Sequence, residues 1–269
     1  MNLAHKLMVR PGSKVKLADW DADYTAHFEN KEQTLELLDK NLEKLANLQY
    51  LLYAENKHAL LVVLQAMDAG GKDGTIRTVM GPMNAQSCKV TAFKGPSEEE
   101  LAHDFLWRIH KFVPRKGEVR IFNRSHYEDV LIVRVHNIVA KSIWSARYEQ
   151  INNFEKILVE NDIHVIKFFL HISKKEQHKR LKERLNDPAK HWKIDPADFS
   201  ERKFWNEYTK AYEDVLMRCS TEYAPWYVIP ANKKWFRNLA IAEILASEME
   251  RLRMKFPEPR CDISKLKIE

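Results

Sequence analysis

The chain is poor in cysteine and has no long apolar run, and each scarcity removes a class of protein. Only Cys88, Cys219 and Cys261 occur. They are odd in number, far apart and in no metal-ligand spacing, which argues against both a disulfide framework and a zinc site. No stretch approaches the roughly 18 apolar residues of a membrane span. The N-terminal segment MNLAHKLMVRPGSK has no continuous apolar core of secretory-signal length. The expectation is a soluble cytoplasmic protein in a reducing compartment, without membrane contact. Internal repeats and low-complexity stretches are absent as well, so repeat arrays and compositionally biased linkers are set aside.

What is present suits a sizeable core. With 269 residues, 45% hydrophobic and 30% charged, the chain is most simply one α/β domain with additions. Lys and Arg number 44 against 38 acids, a net charge of +6 that suits a polyanionic partner but is shared by many soluble proteins. Residues 1–30 mix basic residues, Pro11, Gly12 and scattered aromatics and read as an arm lying across the domain. Residues 31–256 form the domain, and residues 257–269 a charged tail.

Leucines at Leu35, Leu38, Leu42, Leu45 and Leu52 mark an amphipathic helix ending before Asn56. Short apolar runs then alternate with helical patterns: Leu60 to Leu64, Val90 to Phe93, Val119 to Phe122, Val165 to Leu170 and Trp226 to Ile229. Five such runs predict a mostly parallel sheet covered on both faces. Ser97 with Glu100, and Ser173 with Glu176, have capping-box spacing. Trp144, Tyr148, Ile151, Phe154 and Leu158 trace one helix face, Trp205, Tyr208, Tyr212, Val215 and Cys219 another, and Leu239 to Leu252 the last.

The stretch LLVVLQAMDAGGKDGT, from Leu60 to Thr75, reads as a buried strand running into a phosphate-cradling turn and a helix. Against the pattern G-x-x-x-x-G-K-[ST], Gly71 and Lys72 are in place, while Ala66 replaces the first glycine and Asp73 the hydroxyl residue. Such a turn gathers backbone N–H groups around one anion, with Lys72 reaching a terminal phosphoryl group. A plain glycine turn with a surface lysine is the bland reading. Asp68 would repel phosphate unless a cation lay between them, which implies magnesium, with Thr75 as a helper. Asp73 either belongs to the loop or caps the helix.

A second constellation follows the third strand in NRSHYEDV, residues 123–130, because strand ends in open α/β sheets face the ligand crevice. Asn123, Arg124 and Ser125 are placed to contact phosphates, and Glu128 and Asp129 to bind metal or an acceptor nucleotide. Both acids also fit a solvated helix face. His126 reads as a packing or hydrogen-bonding residue. A third lies about residues 180–203, where two Asp-Pro pairs interrupt a segment dense in Arg and Lys. Arg180, Arg184, Lys190, His191 and Lys193 beside Trp192 suggest a mobile basic lid that neutralises donor charge and excludes water.

The segments AMDAGGKDGTIR, FNRSHYEDV, RLNDPAKHWK and YAPWYVIPANKKW together resemble the polyphosphate kinase 2 family, in that family's order and over nearly the whole chain from about Lys31 to Leu252. The resemblance implies a P-loop, thymidylate-kinase-like fold with a helical lid, magnesium dependence with manganese possible, and assembly into homodimers or homotetramers. It implies transfer of the terminal phosphoryl group of inorganic polyphosphate to AMP and ADP, reversibly; nucleic acid is not expected as a partner, because most tryptophans fall at helical core spacing rather than interleaved with cations on a surface. Asp68, Ala69, Gly70, Gly71, Lys72, Asp73, Gly74 and Thr75 then form the donor loop, with Arg77 just downstream. Arg77, Asn123, Arg124, Ser125 and Glu128 fall to the nucleotide with Trp192, and Arg184, Lys190 and Lys193 to the polyphosphate lid. Asp68, Lys72 and Arg124 are the catalytic set. Many members have Asp where this chain has Asn123, which throws metal binding onto Asp68, with Asp129 the nearest substitute. The tetrapeptide HYED resembles the class III subgroup, which accepts AMP as well as ADP.

Two rivals remain at this level. An ATP-using nucleoside or nucleotide kinase would share the fold, and a non-catalytic binder of RNA or polyphosphate would share the basic charge.

Overall fold

The structure, a computed structural model, describes residues 3–266. All five expected strands form: β1 (Ala59–Ala66), β2 (Cys88–Ala92), β3 (Val119–Asn123), β4 (Ile163–His171) and β5 (Trp226–Pro230). They make one sheet in the order β2-β3-β1-β4-β5, parallel throughout. Every residue of β1 and of β5 is buried, as expected of strands covered on both faces.

The helices in chain order are α1 (Leu3–Leu7), α2 (Leu35–Glu55), α3 (Lys72–Thr75), α4 (Glu98–Leu101), α5 (Trp107–His110), α6 (Ile132–Val135), α7 (Lys141–Glu160), α8 (Lys174–Asn186), α9 (Pro196–Ser200), α10 (Trp205–Cys219) and α11 (Lys234–Glu250). The connection from β1 crosses over β3 to reach β2, whereas those from β3 and β4 run the other way, so right-handed crossovers put their helices on opposite faces. Accordingly α11 packs on α2, α1 and β5, while α7 packs on β4 and α10. The reversal falls between β1 and β3, the place where α/β sheets open a crevice at their C-terminal edge.

Local chemistry explains most element ends. Asn56 closes α2 in the left-handed region at φ 56°. Ser97 and Glu100 form a complete capping box. Ser173 forms only half of one: its hydroxyl accepts from the Glu176 N–H, but the Glu176 carboxylate turns instead to Arg180 at 2.8 Å. The arm is integral to the core. Leu3, Leu7, Val9, Val15 and Leu17 are buried, and the Val9 N–H donates to the Trp226 carbonyl at 2.8 Å, adding a short backbone contact beside β5.

The two Asp-Pro pairs start helical turns rather than merely breaking them. Asp187 and Asp195 each accept from the N–H two residues on, at 3.1 and 2.9 Å, with proline in the first turn. The segment between α8 and α10 is therefore a string of short turns carried by two N-caps. Among the described residues no helix is long and apolar enough to cross a membrane.

Candidate active site

The sheet brings the first two sequence constellations together. β1 and β3 are direct neighbours with Leu64 opposite Asn123, and the Arg124 N–H donates to the Leu64 carbonyl at 3.1 Å. Residues following Ala66 and Asn123 therefore emerge side by side. Arg124 donates to the Asp68 carboxylate at 3.0 Å, and Asn123 donates to Asp73 at 2.9 Å. Asp73 thus lies in the first turn of α3 as a tie to β3, while Gly71 is the residue that precedes the helix.

The loop is held in an unusual backbone shape. Ala69 at φ 59° and Gly71 at φ 104° are left-handed, as is Arg124 at φ 62° across the crevice. Ala and Arg pay for that conformation in strain that neighbouring contacts must offset. Arg180 supplies them: one guanidinium nitrogen donates to the carbonyls of Ala69 and Gly70, both at 3.1 Å, and the other to those of Ala231 and Asn232. Gln177 donates to the Asp68 carbonyl at 3.0 Å. Arg180, read from sequence as part of the lid, is instead a buried brace beneath the loop, because the loop carbonyls face it and Glu176 neutralises it.

Lys72 lies beside these groups, its ammonium within 3.5 Å of the Ala66 carbonyl. Burial, then the nearby Arg124, holds its pKa below the usual lysine value, with Asp68, Glu128 and Asp73 opposing. Burial alone would lower the pKa of Arg124, but Glu128 and Asp68 hold it above its ordinary value. Burial raises the Glu128 carboxyl, against the pull of Arg124 and Lys72. Lys72, Arg124, Asp68 and Glu128 are thus one electrostatic unit.

Asp68, Arg124 and Glu128 line a cavity of about 180 Å³ with Gln177, Asp198 and Tyr208. Small-molecule sites commonly measure roughly 300–1,000 Å³. The cavity is roofed by the segment between α8 and α10, with Asp198 close enough to Asp68 that burial and then this like charge raise its pKa. Arg184 pairs with Asp198 at 2.7 Å, so it holds the lid together. Lys190 pairs with Asp187 at 2.8 Å on the surface. Trp192 is 78% exposed, with the Lys193 ammonium 4.8 Å from its ring centre. Arg77 is exposed on a turn of π-helix directly after α3, the type of distortion that gathers at functional sites. The structure does not bring Lys190, Trp192 or Lys193 into the cavity.

The HYED tetrapeptide divides. His126 and Tyr127 are buried and point to Glu155, at 3.2 and 2.8 Å, and the same carboxylate is paired with the buried Lys167. His126 is therefore a hydrogen-bonding residue of the core. Glu128 lines the cavity. Asp129 pairs with Arg147 at 3.0 Å, and burial pushes its carboxyl up to about 6. Ser125 is buried and its hydroxyl accepts from the Tyr127 N–H and from Gln65, so it shapes the turn.

Among the described residues no three or more His, Cys, Asp or Glu side chains converge as a protein-only metal cage. Magnesium does not need one, since it commonly takes one or two carboxylates and completes its shell with water and substrate phosphates. Asp68 at the loop mouth fits that pattern. The Thr75 hydroxyl adds an orphan donor-acceptor, buried in the first turn after Lys72 and without a hydrogen-bond partner among the described residues.

Sequence reasoning missed Gln65, Gln177, Asp198, Tyr208 and Arg237, all close to the loop or cavity. Tyr208 was explained as packing on its helix face, Asp198 lay inside the segment read as a basic lid, Arg237 lay before the helix read from Leu239, and Gln65 and Gln177 belong to no motif.

Comparison with known proteins agrees with this geometry. The family model described as Polyphosphate kinase 2 matches residues 27–257. The chain is 51% identical over 268 residues to the AMP/ADP-polyphosphate phosphotransferase of Meiothermus ruber, covering 98% of this chain and 99% of that protein. It is 45% identical to the ADP-polyphosphate phosphotransferase of Rhodopseudomonas palustris, covering 93% and 91%. Among solved structures, polyphosphate kinase 2 from Arthrobacter aurescens superposes with a TM-score of 0.94 at 43% identity, covering 98% of this chain and 94% of that one.

Proposed function

The chain belongs to the polyphosphate kinase 2 family, and from that premise we propose that it transfers the terminal phosphoryl group of inorganic polyphosphate to AMP and to ADP, giving ADP and ATP, reversibly. Its strongest support is the near full-length likeness to a protein named for both acceptors, joined to the cluster of Lys72, Arg124, Asp68 and Glu128 where the loops after β1 and β3 meet.

A terminal phosphate oxygen of the acceptor forms a bond to the terminal phosphorus of the polymer as the bridging P–O bond breaks. The electron pair leaves on the shortened chain. The attacking oxygen is already anionic, so no strong general base is required, and catalysis rests on alignment and charge neutralisation. The N–H groups of residues 71–74 cradle the donor, those of Gly70 and Thr75 being donated to the Met67 and Gly71 carbonyls; Lys72 meets the transferring group, and Arg124 reaches it from across the crevice. Asp68, with Thr75 nearby, would hold magnesium, or manganese in its place, and the ion would supply neutralisation of donor oxygens. Arg124 and Asp68 neutralise each other in the structure at 3.0 Å, so each keeps its charge in the crevice, Arg124 available to a donor phosphate and Asp68 to a cation.

Glu128 is the acidic group of HYED that faces the acceptor cavity, while the lid residues Asp195, Ala197 and Asp198 close over it. A space of about 180 Å³ requires those residues to lift for entry and to seal water out afterwards. We infer assembly into a homodimer or homotetramer, supported by the exposed side chains Leu37, Tyr50 and Tyr53 along α2, and a cytoplasmic location, supported by the scarcity of cysteine. Asp68→Asn and Lys72→Ala are each expected to lower kcat by at least about 100-fold, the size of one lost electrostatic contact to the transferring group, with the thermal transition kept. Near-normal turnover in either folded variant would overturn these roles.

A further inference from the structure

Beneath the donor loop lies a cation that no acid answers. Arg237, in the first turn of α11, is 2% exposed. Its guanidinium donates to the Asn238 side-chain carbonyl at 3.1 and 2.8 Å, and among the described residues no carboxylate lies within ion-pair distance. A Cβ built on Gly71 would stand 1.9 Å from one of its terminal nitrogens, and one built on Gly74 would stand 3.3 Å from the other. The guanidinium therefore rests against the loop glycines themselves. Its neighbour Arg180 is different, because Glu176 pairs with it at 2.8 Å.

The start of α11 compounds the imbalance. Lys233 sits at its N-cap without a side-chain cap, and the first turn carries Lys234 and Arg237 but no acid. Helices ordinarily place carboxylates there to meet the positive end of the dipole. Burial, then Arg180, lowers the Arg237 pKa to about 10, which still leaves it charged near neutrality. A buried, unpaired cation at an uncapped helix start is a standing cost unless an anion arrives.

We propose that Arg237 is a positioning residue for the donor, a fixed counter-charge set behind Gly71 and Gly74 that favours polyphosphate over less charged phosphate donors. This rests on the reading of the loop as the polyphosphate site. Arg237→Gln keeps a donor for Asn238 and removes the charge; Arg237→Lys keeps the charge.

The test follows melting temperature with and without polyphosphate, in the absence of nucleotide, and then KM for polyphosphate and kcat. Expected for Arg237→Gln are a free protein at least as heat-stable as wild type, a smaller stabilisation by polyphosphate, and a KM raised roughly tenfold, the size of one charge-assisted contact. Arg237→Lys should recover most of that loss. A free Arg237→Gln protein that is unstable or unfolded, or one with wild-type KM and wild-type stabilisation, overturns the proposal. So does a loss shared equally by the lysine variant. Wild-type protein that gains no stability from polyphosphate and shows no phosphotransfer would instead overturn the functional reading.

Discussion

Replacing Lys167 by methionine removes one member of a fully buried polar network and should be among the most damaging single changes away from the loop. Lys167 and Glu155 are both completely buried and paired. The ammonium also donates to the Tyr127 hydroxyl at 3.0 Å and to the Cys219 carbonyl at 2.7 Å. Without it, Glu155 keeps only Tyr127 and His126 as partners and becomes a buried anion lacking its counter-charge. Breaking such a pair from one side costs about 3–5 kcal/mol. At ~2–4 °C per kcal/mol for a domain near this size, the melting temperature should fall by roughly 10 °C.

Function should suffer with it, because Tyr127 and His126 anchor the turn that presents Arg124 and Glu128. The assay is thermal unfolding of Lys167→Met, Glu155→Leu and the double variant. The double variant should be less destabilised than the sum of the singles by at least about 1 kcal/mol, since replacing both charges leaves no unpaired ion. A single variant within about 1 kcal/mol of wild type, or strict additivity, would refute the assignment of this network as the support of the acceptor turn.

Gly70→Ala should cost roughly 100-fold or more in turnover, because the new Cβ would lie 2.5 Å from the Ala66 Cβ and 2.8 Å from the Met67 carbonyl, forcing the loop backbone to move. Gly95→Ala, with nothing within 4 Å, should behave as wild type in the same assay; equal effects at both positions would sink the steric argument. Acid should weaken the fold below about pH 6.5. Burial holds the pKa of His126, His164 and His171 below the ordinary histidine value of 6.5, so the unfolded chain binds more protons in that window and stability falls as pH drops through it. The slope of melting temperature against pH between 7 and 5.5 should flatten in His164→Asn, and an unchanged slope would contradict the attribution.

The strands were legible because each is a compact apolar run bounded by polar turns, and a parallel sheet buries such runs on both faces. That same averaging hid Lys167 inside Val165 to Leu170, and Glu155 on the apolar face of α7. A lysine and a glutamate each embedded in a core pattern were the available signal for a buried pair. Arg237 escaped for a related reason: α11 begins at Lys234 with neither cap nor acid, so the helix was read as starting at Leu239, beyond it. The loop glycines were visible from their spacing, and Arg124 from its place at the end of the third strand. That Arg180 braces the loop from below was not, since its carbonyl partners come from Ala69, Gly70, Ala231 and Asn232, segments far apart in sequence.

The lid shows the limit of composition in another way. A run of Arg and Lys marked it, yet Arg184 and Lys190 are spent on Asp198 and Asp187. Which cations face the donor depends on how the turns close, and charge density in sequence carries no information about that.

The most direct measurement is to incubate the purified chain with AMP, magnesium and inorganic polyphosphate, with no ATP, and to follow nucleotides by chromatography. The account predicts ADP appearing first and ATP after it, with the polymer shortened by one unit for each phosphoryl group transferred. Unchanged AMP, in a preparation that phosphorylates AMP when ATP is supplied instead, would contradict it.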